Sequence, residues 1–252
     1  LVRDHPYIRR MRASTGIGEF LSGAAFHWPD RLQVLSDPAD KVEGGDEARW
    51  LVRPLADEML KARKSFRLVS PYFVPGDRGV QALRGLRAKG VDVDVLTNSL
   101  AATDVMAVHS GYAPYRKPLL EAGVKLHELR AKGNRGSSLF GSSGASLHTK
   151  SFAVDGETGF VGSFNVDPRS ISLNTEMGVL FHDADTAAAL ERVVHARVGG
   201  RHSYRVLLRD GALRWEDAAT APPKEWGHEP ETRWWQRAAV RVLEWLPIES
   251  QL

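Results

Sequence analysis

Short apolar runs alternate with helical periods through the middle of the chain. Residues 66–70 (FRLVS) and 91–97 (VDVDVLT) have the apolar density of buried strands, and the second run alternates strictly. Residues 79–89 between them have a helical period, and Gly90 follows as a C-terminal stop. Further strands are predicted at 124–129, 147–154, 159–162 and 176–181, and further helices at 54–64, before Gly123 and at 185–198. This order predicts an α/β fold with a mixed, largely parallel central sheet and helices on both faces.

The two ends of the chain have a different texture. Residues 1–48 are irregular and interrupted by Pro and Gly, with one short strand expected at 32–35. After Gly200, two strand-like runs flank Asp210-Gly211 and predict a hairpin, which a Pro-containing linker follows at 220–230. We therefore expect three parts: an irregular segment at 1–48, an α/β domain at 49–200, and a hairpin, linker and helical tail at 201–252.

The tail is predicted to be an amphipathic helix rich in Trp and Arg. Its apolar face carries Trp234, Trp235, Ala238, Val242, Trp245 and Leu246, and its polar face carries Arg233, Arg237, Arg241 and Glu244. Such a helix fits two positions, either packed on its own domain or lying in a membrane interface. Anionic lipid would favour the second position.

Composition narrows the possible chemistry. The 252 residues include no Cys, which excludes disulfides, thiolate nucleophiles and cysteine-ligated metals. Lys and Arg number 34 against 31 Asp and Glu, and this net charge of +3 gives only weak support for an anionic partner. No stretch approaches the ~20 apolar residues of a membrane span. The first residues lack the apolar core of a signal peptide, and we expect a chain cut from a longer protein.

The densest chemistry lies between residues 147 and 181. His148, Lys150 and Asp155 have the spacing HxKxxxxD, and Gly162-Ser163-Phe164-Asn165 follows as GSxN. On a strand, positions two apart share a face, so His148 and Lys150 are expected to point the same way. The HxKxxxxD spacing would occur by chance roughly 0.02 times in such a chain. A Gly/Ser-rich loop at 132–146 precedes the motif and is expected to flank the site.

These residue types suit attack on a phosphodiester. An imidazole can act as nucleophile or proton donor, while Lys150 and Asn165 can donate to the charged oxygens of the transition state. Glu176 is the candidate for holding the second ring nitrogen of His148. Asp155, at a strand end beside a turn, is expected to orient neighbouring groups rather than to touch substrate. This chemistry needs no metal, and we expect neither a metal ion nor a cofactor.

The motif resembles that of the phospholipase D superfamily, whose signature is HxKxxxxD followed by GSxN or GGxN. Six further segments resemble the second half of bacterial cardiolipin synthases of that superfamily: SPYFVPG at 70–76, LTNSLAATDV at 96–105, HSGYAPYRKPLLEAGV at 109–124, SFNVDPRS at 163–170, LNTEMGVLF at 173–181 and WLPIE at 245–249. The resemblance implies a phospholipase D-like domain at 49–200. It also implies phosphatidyl transfer through a phosphohistidine, which makes cardiolipin from phosphatidylglycerol and a second phospholipid. The expected place is the cytoplasmic face of a bacterial membrane, as a peripheral protein.

The superfamily builds its site from two such motifs, and this chain has one. None of the other eight His residues is followed by Lys two positions later. The resemblance assigns His148 primarily as proton donor and later base. The second motif is then expected from a missing N-terminal half joined through residues 1–48, or from a second copy in a homodimer, where the two copies of His148 divide the roles.

The same resemblance extends the site to a headgroup pocket. It implies substrate-binding roles for Ser163, Tyr72, His109 and Tyr115, and contact with an anionic membrane surface through the Trp/Arg tail. Two alternatives stay open: a homodimeric phosphodiesterase or nuclease acting on nucleic acid, and a non-catalytic half that binds lipid without turnover. The single motif favours the nuclease, whereas the synthase-like segments and the Trp-rich tail favour the phosphatidyltransferase.

Overall fold

A computed structural model describes residues 22, 27–29, 31–131, 147–198 and 200–246. The chain divides into two compact units, Leu1–Asp30 and Arg31–Leu252, and the fold described below is that of the second unit. The Gly/Ser-rich loop predicted at 132–146 lies outside the described residues.

Ten strands in the described part of the chain form one sheet. They are β1 (Arg31–Ser36), β2 (Ser65–Val69), β3 (Asp92–Asn98), β4 (Lys125–Leu129), β5 (Lys150–Val154), β6 (Thr158–Gly162), β7 (Met177–His182), β8 (Ser203–Arg209), β9 (Ala212–Asp217) and β10 (Lys224–Trp226). The helices are α1 (Val52–Leu60), α2 (Gly76–Ala88), α3 (Met106–Tyr112), α4 (Arg116–Glu121), α5 (Pro168–Ser172), α6 (Ala184–Val198) and α7 (Trp234–Leu243). Short 3-10 helices lie at Ala39–Glu43, Glu47–Arg49 and Ala113–Tyr115.

The strand order is β1-β7-β6-β5-β2-β3-β4-β8-β9-β10. Strand β3 pairs in parallel with β2 and β4, and the other pairings between these ten strands are antiparallel. The α/β fold with a mixed sheet is therefore confirmed, but the expectation of a largely parallel sheet is wrong. Helices connect the parallel strands, whereas short turns join β5 to β6 and β8 to β9, and such turns can connect only antiparallel neighbours.

Most predicted elements are present within a few residues of their predicted ends. Gly90 and Gly123 follow α2 and α4 with φ of 83°, the left-handed conformation that glycine adopts without strain. Two elements differ from prediction. The strand predicted at 147–154 begins only at Lys150, and the linker predicted at 220–230 contains β10, which pairs with β9. A strand of three residues is too short to show a period in the sequence.

Helices cover both faces of the sheet, as predicted. Neighbouring residues of a strand point to opposite faces, so Leu68 and Val69 of β2 belong to different layers. The layer of Leu68 is the main core, to which α1, α2 and α4 contribute Leu55, Val80, Leu83, Leu86 and Leu119. In the layer of Val69, the smaller apolar cluster includes Val194 of α6.

Strand β3 is buried on both faces although its sequence alternates Asp with Val. Asp94 is only 8% exposed, and its charge is paired on both carboxylate oxygens. Arg67 Nη1 lies 2.5 Å from its Oδ2, and His127 Nε2 lies 3.1 Å from its Oδ1. A charge can be buried when it is paired in this way. The alternation therefore marks a buried ion cluster rather than a solvent-exposed face.

The C-terminal helix α7 packs with the side opposite its Trp residues. Val240 is buried, and α7 contacts α3. The predicted apolar face points away from the domain, with Trp234 75% and Trp245 89% exposed. Arg237, predicted on the polar face, is partly buried and donates to the Thr232 carbonyl at 2.9 Å. Within the described residues, no helix combines the length and the apolar character needed to cross a membrane.

Candidate active site

The predicted site forms at the edge of the sheet where β2 and β3 end. Strand β5 runs antiparallel to β2 and places Ser151 opposite Val69, so Lys150 lies at the carboxyl end of β2. In α/β sheets, ligands commonly bind at this edge of the parallel strands. The predicted site therefore lies at the edge of the sheet where α/β proteins commonly bind their ligands.

His148 and Lys150 meet, although not as two residues of one strand. His148 precedes β5 and is exposed, while Lys150 is the first residue of β5 and is buried. Lys150 Nζ lies 3.4 Å from His148 Nδ1 and donates to the His148 carbonyl oxygen at 2.9 Å. The ring and the ammonium can thus reach one phosphoryl group together, with the ring on the solvent side.

The β5–β6–β7 pairing brings the GSxN motif to Lys150. Gly162 lies opposite Lys150 on one side and Gly178 on the other. A Cβ at Gly162 would come within 2.5 Å of the Met177 carbonyl oxygen, so only glycine fits this close approach. Ser163 follows at the end of β6, where its hydroxyl donates to Glu176 and accepts from the Met177 amide at 3.0 Å.

Glu176 is buried below this motif. Its Oε1 accepts from Ser170 Oγ at 3.0 Å and from Asn174 Nδ2 at 3.3 Å, and its Oε2 accepts from Ser163 Oγ. The described residues therefore pair this carboxylate with two serine hydroxyls and an amide, not with the His148 ring as the sequence interpretation proposed. The serines lie next to the buried carboxylate, whereas His148 lies on the exposed side of Lys150.

Three carboxylates attract the positive charge of Lys150. Burial lowers the pKa of the Lys150 ammonium below its usual value, and attraction by Glu176, Asp104 and Asp167 opposes this effect. Asp104 and Asp167 were not among the predicted site residues. Their positions within the synthase-like segments LTNSLAATDV and SFNVDPRS are the signal that could have identified them. Lys150 is thus a partly desolvated donor whose charge is balanced by carboxylates.

Tyr72 lies beside Asp104 near the same site. Its hydroxyl donates to Asp104 Oδ1 at 3.0 Å. Burial, together with this hydrogen bond, raises the pKa of Tyr72 to about 12. Tyr72 therefore stays a neutral hydrogen-bonding group at physiological pH, and its contact with a headgroup stays a prediction.

Asn165 is buried and keeps part of its amide unpaired. Its Oδ1 has no hydrogen-bond partner among the described residues, and its backbone N–H donates to Ser170 Oγ at 3.3 Å. The following residue, Val166, donates its N–H to Ser70 Oγ at 3.0 Å, which joins the GSxN segment to the end of β2. A buried polar group without a partner is costly, and a substrate group could satisfy it.

Asp155 lies at the far end of β5 from Lys150, about 16 Å away at the usual rise of a strand. Its carboxylate accepts from the backbone amides of Arg63, Lys64 and Ser65 at 2.9, 2.7 and 2.8 Å. Burial would raise the pKa of Asp155, but these hydrogen bonds hold it below its usual value. Asp155 therefore holds the backbone at the start of β2, and its predicted lack of contact with substrate stays a prediction.

His109 lies in a buried ion network. It is 3% exposed, and its Nε2 lies 2.7 Å from Glu229 Oε1. Arg116 Nη2 donates to the same oxygen at 2.7 Å, and Arg116 Nε donates to Glu128 at 2.8 Å. Tyr115 is half-buried beside this network and packs against the main core. In this structure, His109 therefore joins α3 to the segment before α7 and offers little surface to a headgroup.

Glu229 is a residue that the sequence interpretation placed in a linker. Burial would raise its pKa, but Arg116 and His109 lower the pKa of Glu229 to about 2. No period or motif marks a single Glu in a Pro-containing stretch, so only the three-dimensional contact identifies it. Among the described residues, no cluster of His, Asp and Glu has the arrangement of a metal site.

The chain is similar in sequence to proteins of a known family. The sequence profile of the family described as "Cardiolipin synthase, PLD-like domain" matches residues 55–197. Cardiolipin synthase C of Escherichia coli strain K12 is 40% identical, with an alignment that covers 97% of this chain and 53% of that protein. The chain thus spans about half the length of this relative.

Two solved structures share the fold. The phospholipase D family member Nuc from Salmonella typhimurium aligns with a TM-score of 0.52 and 20% identity, over 70% of this chain and 98% of Nuc. Phosphatidylserine synthase of Haemophilus influenzae Rd KW20 aligns with a TM-score of 0.51 and 16% identity, over 81% of this chain and 48% of that one. Since the family profile also covers more than half of the residues, the chain belongs to the cardiolipin synthase family of phospholipase D-like domains.

Proposed function

We propose that this chain supplies one half of a phosphodiester-transfer site, which in the complete enzyme makes cardiolipin from phosphatidylglycerol and a second phospholipid. The observation that supports this most strongly is the contact of His148 with Lys150 at 3.4 Å, at the carboxyl edge of β2. Sequence identity of 40% to a protein named cardiolipin synthase C supports the choice of substrate.

The chemistry proceeds in two displacements. A motif imidazole nitrogen attacks the phosphorus of phosphatidylglycerol, and the bond from phosphorus to the glycerol oxygen breaks as the other motif His protonates that oxygen. A headgroup hydroxyl of a second phosphatidylglycerol then attacks the phosphohistidine, the P–N bond breaks, and the second His takes the hydroxyl proton. Two phosphatidylglycerols thus give one cardiolipin and one glycerol.

The residues divide these tasks by position. We assign His148 as the proton donor of the first step and the base of the second. Lys150 and the Asn165 amide donate to the non-bridging phosphoryl oxygens, where negative charge is concentrated. Glu176 holds Ser163 and balances the charge of Lys150. The Tyr72 hydroxyl donates to Asp104, and its oxygen can accept a hydrogen bond from a headgroup hydroxyl.

The nucleophilic imidazole comes from a second phospholipase D-like domain. The chain holds a single HxKxxxxD, and the family chemistry uses two motif imidazoles in different roles. The second domain belongs to a longer polypeptide or to a second copy of this chain. In either case, the described residues alone provide one imidazole, so the half-site alone is expected to be nearly inactive.

The exposed face of α7 supports a membrane location for this site. Trp234, Val242 and Trp245 are all more than half exposed, and the basic Arg241 lies beside them. Trp in an interface and Arg near anionic headgroups both favour membrane contact. The enzyme is then peripheral on the cytoplasmic face of a bacterial membrane, where its lipid substrates lie within reach.

A homodimer that cleaves nucleic-acid phosphodiesters is a second candidate. The single motif favours it, because two copies of His148 would complete the site. The 40% identity to a protein named cardiolipin synthase C favours the lipid substrate instead.

The experiment uses the native polypeptide that carries this chain, with phosphatidylglycerol vesicles and chromatography of the lipid products. His148→Ala is expected to lower cardiolipin formation more than 1,000-fold. His195→Ala is the matched control, because His195 lies exposed on α6, and it should stay within twofold of the parent. Equal activity of the parent and His148→Ala would overturn the proposal.

A further inference from the structure

A fully buried ion pair lies next to Glu176, outside the predicted motif. Lys41 Nζ lies 2.7 Å from Asp37 Oδ2, and both side chains are 0% exposed. The ammonium also lies 5.4 Å from the centroid of the Trp50 ring. Burying such a pair removes the hydration of both charges, so pairs of this kind add little net stability. The role of this ion pair is therefore better inferred from the groups that it contacts than from its contribution to stability.

Asp37 fixes the backbone of Glu176 from both sides. The Glu176 N–H donates to Asp37 Oδ2 at 2.9 Å, and the Asp37 N–H donates to the Glu176 carbonyl at 2.8 Å. The other carboxylate oxygen of Asp37 accepts from the Leu51 N–H at 2.7 Å. The Glu176 peptide is thus tied to the segment before α1.

Lys41 holds a second residue that contacts the Glu176 carboxylate. Its Nζ donates to the Ser170 carbonyl oxygen at 2.9 Å. The Ser170 hydroxyl in turn donates to Glu176 Oε1 at 3.0 Å. The ion pair therefore holds both the residue that carries the carboxylate and a residue that orients it.

We propose that Asp37 and Lys41 are a positioning pair, which sets the Glu176 carboxylate against Ser163 and near Lys150 for phosphoryl transfer. This inference rests on the proposed function, because the placement of Glu176 matters for turnover only if Lys150 stabilises a phosphodiester transition state. Neither residue touches substrate, and both act through Glu176. Misplacing a supporting group by ~1 Å can cost on the order of 100-fold in rate.

The test compares the charge-neutral double variant Asp37→Asn/Lys41→Met with two controls. The double variant leaves no lone buried charge, which favours folding. Lys41→Arg is the conservative variant, because it keeps the positive charge. Arg67→Met/Asp94→Asn is the matched control, because Arg67 and Asp94 also form a buried ion pair but lie away from Glu176, in the layer of Val69. Thermal unfolding is recorded for every variant.

Steady-state kinetics on phosphatidylglycerol vesicles are expected to separate positioning from stability. The Asp37→Asn/Lys41→Met variant should lower kcat at least 30-fold with KM within threefold. Lys41→Arg should keep most of the parent activity, and Arg67→Met/Asp94→Asn should stay within threefold. In a Glu176→Gln background the Asp37→Asn/Lys41→Met substitutions should cost less than threefold more, since their effect passes through Glu176. If the Asp37→Asn/Lys41→Met substitutions lower kcat by the same factor in the parent and in the Glu176→Gln background, the proposal is overturned.

Amide hydrogen exchange in the native protein tests the pair without turnover. Asn offers one acceptor oxygen where Asp37 offers two, so exchange at the Leu51 or the Glu176 amide should accelerate at least tenfold in the double variant. Arg67→Met/Asp94→Asn should leave exchange at both amides within threefold. Unchanged exchange at both would overturn the positioning pair even in an active enzyme. Accelerated exchange in a protein that never converts phosphatidylglycerol would retain the pair and overturn the proposed function.

Discussion

Glu229 accepts a hydrogen bond from Arg116, which lies 113 positions earlier in the chain, at 2.7 Å. The same carboxylate oxygen lies 2.7 Å from His109 Nε2. This contact joins the segment after β10 to α3 and α4. The same segment leads directly into α7. The ion network therefore determines where the exposed Trp face of α7 is held.

Removing the charge of Glu229 is expected to destabilise the fold. Glu229→Gln leaves Arg116 with Glu128 as its remaining carboxylate partner and should cost about 3 kcal/mol in the free energy of unfolding. Because the pKa of Glu229 is lowered to about 2, its contribution is present above its unfolded value near 4.5 and is lost as the pH falls towards 2. Denaturant unfolding from pH 7 to pH 2 measures this.

The matched control for Glu229 is Glu225→Gln. Glu225 is exposed and lies 3.5 Å from Arg209, so its loss should change the unfolding free energy by less than about 0.5 kcal/mol. Equal effects of the two substitutions at pH 7 would contradict a stabilising role of the buried network.

Lys150 is expected to act as a charged donor to the transferring phosphoryl group. Lys150→Met should lower kcat by at least 100-fold, which corresponds to about 3 kcal/mol of transition-state stabilisation. Lys125→Met is the control, because Lys125 forms an ion pair with Asp92 on the surface. A loss below tenfold for Lys150→Met would remove this residue from the mechanism.

The pH dependence of turnover should report the Lys150 ammonium. Burial lowers its pKa, so the charged form is lost as the pH rises through a value below the ~10.4 of an ordinary lysine. In Lys150→Arg, whose guanidinium stays charged, the decline of kcat on the alkaline side should move to higher pH. An identical alkaline decline in both proteins would assign it to another group.

Asp155 is expected to affect stability, since it binds three backbone amides. Asp155→Asn should lower the free energy of unfolding by about 1–2 kcal/mol. Its lowered pKa means that this stabilisation is present above the unfolded value and disappears as the pH falls through the folded one. Asp210→Asn is the matched control, because Asp210 has a similar positive backbone φ at a turn between strands (49°, against 55° for Asp155). An Asp155→Asn protein with full stability and no turnover would place Asp155 at the reacting centre.

The role of His148 can be read from the leaving group. If His148 protonates the departing alcohol, His148→Ala should be far less impaired on a phosphatidyl ester of 4-nitrophenol than on phosphatidylglycerol, because a phenolate leaves without protonation. Stopped-flow release of nitrophenolate measures this step. The same loss on both substrates would instead make His148 the nucleophile.

The exposed Trp residues are expected to hold the protein on anionic lipid. Trp234→Ala/Trp245→Ala should weaken sedimentation with phosphatidylglycerol vesicles at least tenfold and leave thermal unfolding unchanged, because both side chains are exposed. Leu60→Ser is the control, since Leu60 is an exposed apolar residue on α1. Equal vesicle binding by the double variant and the control would exclude α7 as the membrane contact.

The sequence predicts those parts of the fold and site that depend on local patterns. Apolar periods and glycine stops located most strands and helices, and the motif spacing identified His148 and Lys150 as neighbours. The partner of Glu176 could not be predicted, because Ser163 and Ser170 reach it only after β6, β7 and α5 have packed. The contact of Glu229 with Arg116 likewise depends on tertiary folding across 113 positions. Strand direction was also beyond the pattern, since the period of a buried strand is the same in parallel and antiparallel sheets.

The most direct measurement is the product formed by the native protein from two phosphodiesters offered separately, phosphatidylglycerol vesicles and DNA. Cardiolipin and free glycerol are expected from the vesicles, at a rate that falls more than 1,000-fold in His148→Ala. Cleavage of DNA with no conversion of phosphatidylglycerol would contradict the proposed function and favour the homodimeric nuclease.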